Sequence, residues 1–169
     1  MKNHLQFVIT LFFCLHFYFT HAQELNTKMW QPDGPVRAIV QKDSTIYLAG
    51  DFTYVGPLNC QNGAIIDQPE GKPSKHSTLR INNIVLSSIS DGKGGWYIGG
   101  LFTSVQGVSR KYVAHILANG QLDLTWNPNS NGRVDAIFVF NNIVYIGGIF
   151  TSVGGKVRSG LAALDATTA

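Results

Sequence analysis

The sequence predicts an all-β chain made of repeated four-stranded antiparallel units, and three observations predict it. The phrases IYLAGDFTYVG (46–56), WYIGGLFTSVQG (96–107) and VYIGGIFTSVGG (144–155) say nearly the same thing three times. Aligned on Gly50, Gly100 and Gly148, they are 50 and 48 residues apart, a period that marks repeated supersecondary units. Within each unit, apolar residues alternate as in strands, and no helical periodicity follows residue 22. A four-stranded twisted sheet cannot hide both faces alone. Sheets stacked face to face around an axis would solve that, so the expected architecture is a β-propeller with about two and a half to three blades present.

The first residues are read separately. Lys2 gives a positive start, Leu5 to Phe19 is mostly apolar, and Thr20-His21-Ala22 offers a small residue at a cut before Gln23. Residues 1–22 therefore read as a secretory signal peptide, and the chain is expected to be secreted or cell-surface. An uncleaved anchor is the alternative, but the run is short for a span of about 20 residues. Residues 23–169 form the repeat region, with units at roughly 30–72, 79–125 and 126–169. No later apolar run is long enough to cross a membrane. Of the two cysteines only Cys60 lies after the leader, so the mature chain has no internal disulfide.

Charge excludes little else. The formal net charge is +3 with Lys2 included, spread along the chain, whereas nucleic acid would prefer a concentrated basic stripe. No nucleic-acid partner is expected.

The third unit shows its elements best. Val134, Ala136, Phe138 and Phe140 alternate along the first strand, and Asn141-Asn142 makes a turn into Ile143–Ile146. The third strand is expected near Gly160 to Leu164, with Val113 to Leu117 as its counterpart. Asn119-Gly120 then signals a hairpin into a fourth strand at Gln121 to Thr125. Fourteen residues before the aligned glycines stand Val36, Leu86 and Val134. Two residues after them stand Phe52, Phe102 and Phe150, expected to turn inward as anchors worth about 1.5–3 kcal/mol each when buried. The pairs Gly99-Gly100 and Gly147-Gly148 allow positive φ or close approach of a neighbour. The first unit keeps only Gly50, after Ala49, and has Asp51 where Leu101 and Ile149 stand. Trp30-Gln31-Pro32 and Trp126-Asn127-Pro128 lead the first and third units; the second has Ser74 to Thr78 instead.

The motif GGxFTxVxG (99–107 and 147–155), with Arg110 or Arg158 ten residues after the second glycine and the ending Leu161 to Asp165, resembles the delta-60 or DUF5122 propeller-like repeats of large bacterial secreted proteins, distantly similar to Kelch repeats. The resemblance spans about Trp30 to Thr168. It is partial in the first unit, where Gly56-Pro57-Leu58-Asn59-Cys60 replaces the Gly-Gly-x-x-Arg pattern. It implies an exported β-propeller and carries no catalytic motif. Propellers close with roughly 4 to 8 blades, so the missing blades would come from the rest of a longer chain or from self-association.

Each candidate site has a plainer counterpart. Arg110 and Arg158 would line a rim and receive an acidic ligand, or fix the loop between the second and third strands. Trp30 and Trp126 would be platforms for sugar or peptide, or packing between units. Asp67 and Asp165 suit turn capping; a calcium site would need more oxygen donors in a tight loop. His76 and His115 lack any HExxH, CxxC or carboxylate-cluster pattern, and Cys60 lacks a His/Asn constellation. The glycine pairs precede no helix and so make no phosphate loop. No cofactor, metal site or catalytic residue is expected. The sequence favours a non-enzymatic module for protein or carbohydrate binding or scaffolding. Its alternative is a fragment of an extracellular propeller hydrolase or lyase whose catalytic residues lie mostly outside the chain, with Asp51 as the one break in the repeated phrase.

Overall fold

The computed structural model describes residues 30–56, 58–67, 71–74 and 79–169. The signal-peptide reading and His76 fall outside them. The described residues are all-β. The first unit holds β1 (Val36–Lys42), β2 (Thr45–Gly50), β3 (Tyr54–Val55), β4 (Leu58–Asn59), β5 (Gly63–Asp67) and β6 (Lys72–Pro73). The second holds β7 (Val85–Ser90), β8 (Trp96–Gly100), β9 (Ser104–Val105), β10 (Val108–Ser109) and β11 (Val113–Ile116). The third holds β12 (Arg133–Phe140), β13 (Ile143–Ile149), β14 (Ser152–Val153), β15 (Lys156–Val157) and β16 (Leu161–Asp165).

These strands form a four-stranded sheet β1-β2-β5-β6, two three-stranded sheets β7-β8-β11 and β12-β13-β16, and three separate two-stranded ribbons, β3-β4, β9-β10 and β14-β15. The expected β-propeller is overturned here, and with it the Kelch-like comparison. The sheets are small, and none is closed or curled as propeller blades would be. Four strands are reached only in the first unit, where β6 has two residues. The expected strand at Gln121 to Thr125 reduces to one isolated bridge, Ile116 to Leu122. Its continuation is stopped because Asp123 Oδ1 turns back onto the Thr125 amide at 2.9 Å and the Trp126 amide at 3.3 Å.

The hairpin of the third unit has a direct cause. Asn141 and Asn142 sit at φ 48° and 61°, the left-handed pair of a two-residue turn whose twist matches the strands. Each first strand also carries an irregularity against its partner, between Val36 and Ala38, Val85 and Ser87, and Val134 and Ala136. The residue paired with Gly100 is therefore Val85, and the expected Leu86 is the extra, bulged residue. The five-residue turn at Asp91 to Gly95 lengthens that hairpin and shifts the offset by one. At the aligned glycines the reason for glycine is close approach: a Cβ on Gly148 would overlap the Arg133 carbonyl oxygen, and one on Gly100 that of Ile84.

Apolar burial follows the sheet stack. β7 lies against both β1 and β12. Between the first two sheets, Tyr47, Ile65, Trp96, Ile98 and Ile116 belong to one core; between the second and third, Tyr97, Trp126, Val134, Val144 and Ile146 belong to another. A third cluster gathers Leu48, Phe52, Val55, Cys60 and Ile66, with Trp30 packed on it.

Candidate functional site

The repeated phrase is held by a residue type that the spacing of the glycines does not point to. Asp33, Asn82 and Asn131 occupy one position in the three units, and each clamps the Thr of its own phrase. Asp33 Oδ1 accepts the amides of Thr53 (2.8 Å) and Tyr54 (2.9 Å), and Oδ2 accepts the Thr53 hydroxyl at 2.7 Å. Asn82 Oδ1 accepts the amides of Thr103 and Ser104, both at 2.9 Å, while its Nδ2 donates to Thr103 Oγ1 at 2.9 Å. Asn131 repeats the arrangement on Thr151 and Ser152. The hydroxyl bond, followed by the two amides, keeps the Asp33 carboxyl below its ordinary range. The signal was present in the sequence, as an Asp or Asn 17 or 18 residues before each aligned glycine.

Among the described residues, the densest cluster of titratable groups sits at the second sheet. His115, on β11, is buried; its Nδ1 lies 2.9 Å from Asp123 Oδ2 and its Nε2 3.1 Å from Asp91 Oδ2. Asp91 is aimed by its turn, because its Oδ1 accepts the amides of Lys93 (2.7 Å) and Gly95 (2.9 Å). Asp123 is aimed from the other side by Thr125 and Trp126. Burial pushes the Asp123 carboxyl up, but the Thr125 hydroxyl, His115 and the two amides outweigh it and hold the group down to about 2. The imidazole stacks on Tyr97 with ring centroids 4.4 Å apart, and meets Trp126 edge-on at 6.2 Å. Tyr97 in turn donates to the Ala166 carbonyl at 3.0 Å, and burial, then the charges of Asp91, Asp123 and Asp165, push its phenol up to about 12. A cleft of about 260 Å³ beside the cluster is lined by Lys93, Tyr97, His115 and Asn142.

Chemically, this cluster is a clamp. Both ring nitrogens of His115 are occupied by carboxylate oxygens, so neither nitrogen faces a substrate. Asp91 and Asp123 spend their other oxygens on backbone amides. Among the described residues, no group of three His, Cys, Asp or Glu side chains could hold a metal ion.

The candidates from the sequence fall in different places. Arg110 is buried, and its guanidinium donates to the carbonyls of Ser109 (3.1 Å), Asp123 (3.0 Å) and Leu124 (2.8 Å). Arg158 is exposed and donates to the Val157 carbonyl at 2.9 Å. Trp126 is fully buried and donates to the Asp165 carbonyl at 3.0 Å. Trp30 is partly exposed and lies over Gly56 so closely that a Cβ there would overlap the indole. Phe52, Phe102 and Phe150 are buried. Asp165 caps the amides of Thr167 and Thr168, which lower its carboxyl. Asp51 stands 3.9 Å from Arg37 on the surface. Cys60 is buried, and desolvation pushes its thiol up to about 11, away from the thiolate a nucleophile needs.

Residues 90–125 match the model of a family described as a domain of unknown function, DUF5122, beta-propeller. This links the chain to that family over its second unit. No curated protein and no solved structure matches the chain. No helix of the described residues is long and apolar enough to cross a membrane.

Proposed function

We propose that this chain is an exported or cell-surface repeat module, without catalytic activity of its own, that binds or scaffolds a protein or glycan. The observation that carries the reading is the outer face of the third sheet. Phe138 and Phe140 are 58% and 57% exposed, Ile149 65% and Leu161 66%, on one side of β12, β13 and β16. Phe138 lies near-parallel to Phe140 with centroids 6.5 Å apart and meets Tyr145 at a tilt, with centroids 6.4 Å apart. Contiguous apolar surface of this kind marks an interaction site. Supporting it from the other side, the groups able to do acid–base work (His115, Asp91, Asp123) are spent on one another and on backbone.

The face also matches two that are already covered within the chain. Tyr145 and Gly147 stand on β13 where Tyr97 and Gly99 stand on β8, and the β8 pair meets the third sheet. The partner suited to it is therefore another sheet rich in branched aliphatic side chains, and a second copy of this chain is the first to test. Sedimentation velocity over a hundredfold concentration range should show wild-type mass rising with concentration. Replacing Phe138→Asp and Phe140→Asp together should abolish the rise without changing far-UV dichroism. A wild type that stays monomeric throughout would remove self-association, and an unchanged rise in the double variant would remove this face.

A further inference from the structure

The three sheets meet in two junctions, and the junctions are not alike. Asn62, Tyr112 and Gly160 occupy one repeated position, just before the third long strand of each unit. All three are left-handed, at φ 64°, 66° and 73°. The same two backbone bonds impose this on each. Asn62, Tyr112 and Gly160 donate to the carbonyls of Phe52, Phe102 and Phe150, and receive the amides of Gly50, Gly100 and Gly148. Asparagine and glycine suit that backbone; for a bulky residue it is an outlier. Strained residues of this kind persist where the surroundings hold them and cluster at ligand sites.

The neighbours change together with it. At the first junction Asn62 Nδ2 reaches across and donates to the Ile81 carbonyl at 2.8 Å, tying the two units together. At the second junction Tyr112 replaces Asn62, and Ser130 stands at the position of Ile81. A cleft of about 250 Å³ lies there, lined by Lys111, Tyr112, Asn129, Ser130, Asn131 and Ser152. Tyr112 is partly buried, packed against the second core cluster while it lines the cleft. Lys111 and Asn129 are exposed beside it.

We propose that this cleft is a saccharide subsite that takes one pyranose ring of a glycan. A phenol ring seated on a core offers a flat apolar face to the C–H side of a sugar. Lys111 and the Asn129 amide offer hydrogen bonds to hydroxyl or carboxylate oxygens. The volume lies below the roughly 300–1,000 Å³ of pockets that enclose a whole drug-sized ligand, which suits a single ring of a longer chain. The inference deepens the binding-module reading and is independent of the apolar face of the third sheet.

The test uses saturation-transfer NMR on the full mature chain with tetragalacturonate and cellotetraose as probes at millimolar concentration. Wild type should transfer saturation to at least one of them. A Lys111→Gln, Tyr112→Asn variant installs the chain's own Gln61-Asn62 pair at this position. It should lose the signal at least tenfold while its Tm stays within about 4 °C of wild type. Tyr112→Leu keeps an apolar side chain against the core and removes only the ring, so it too should lose the signal. Absence of transfer to both sugars, or undiminished transfer in a folded variant, would overturn the subsite. Both variants leave Phe138 and Phe140 untouched, so failure here is separable from failure of the apolar face.

Discussion

At the scale of single residues, the glycine pairs show how one letter serves two purposes. Gly148 is required because its Cβ would overlap the carbonyl oxygen of Arg133, which belongs to the backbone and cannot turn aside. Gly147, its neighbour, has nothing nearer than the Gly160 carbonyl at 3.9 Å. Gly148→Ala should therefore cost about 1–3 kcal/mol, as overpacking does. Gly147→Ala should be neutral or stabilise by up to about 1 kcal/mol through the lost freedom of the unfolded chain. Urea melts of the two variants decide it, and equal losses would contradict the contact argument. Spacing showed that both positions matter to the repeat. It could not separate them, because the distinction lies in which backbone passes nearby. The triple Asp33, Asn82 and Asn131 was legible in principle, but its residue type varies and the longer second hairpin breaks the exact offset.

At the scale of elements, the Asp91–His115–Asp123 clamp joins the β7–β8 turn to the segment after β11. Asp123 is the member whose titration has a definite sign. Its folded-state carboxyl is held to about 2, below an unfolded value near 3.8, so its contribution is complete above pH 4 and is lost as pH falls toward 2. The contribution is on the order of 2 kcal/mol. Asp123→Asn should flatten the acid limb of a stability profile by about that amount. The measurement is urea denaturation between pH 2 and 5, followed by tryptophan fluorescence; an unaltered acid limb would show that the carboxylate does not stabilise the fold. His115 could not be assigned this role from spacing, since Asp91 lies 24 residues before it and Asp123 eight after. The same segment explains the missing fourth strand. Asn119-Gly120 does turn the chain, but the Asp123 carboxylate then captures the next amides before a ladder can grow.

At the scale of the whole molecule, the repeat period was legible and the curvature was not. Alternating apolar residues specify which face of a strand is covered, and the cores between successive sheets follow from that. Whether small sheets curl into blades depends on strand length and twist, which alternation leaves open. What sets the spacing of the sheets can be tested at Gly99. A Cβ there would stand 2.7 Å from Val134 Cγ1 and 3.0 Å from Ile137 Cδ1, both on the third sheet. The absence of a side chain is thus what lets β8 and β12 approach. Gly99→Val should force the second and third sheets apart at a cost of about 1–3 kcal/mol. Because Trp126 and Tyr97 belong to the core between those sheets, their ring contact at 4.9 Å should loosen. The expected signs are a lower Tm, a red-shifted tryptophan emission and faster amide exchange in β12, with β1 and β2 unaffected. Valine at Gly147, on the open face of the same repeat position, should produce none of these. If both variants behaved alike, the close approach of the two sheets would not be what holds the third unit in place.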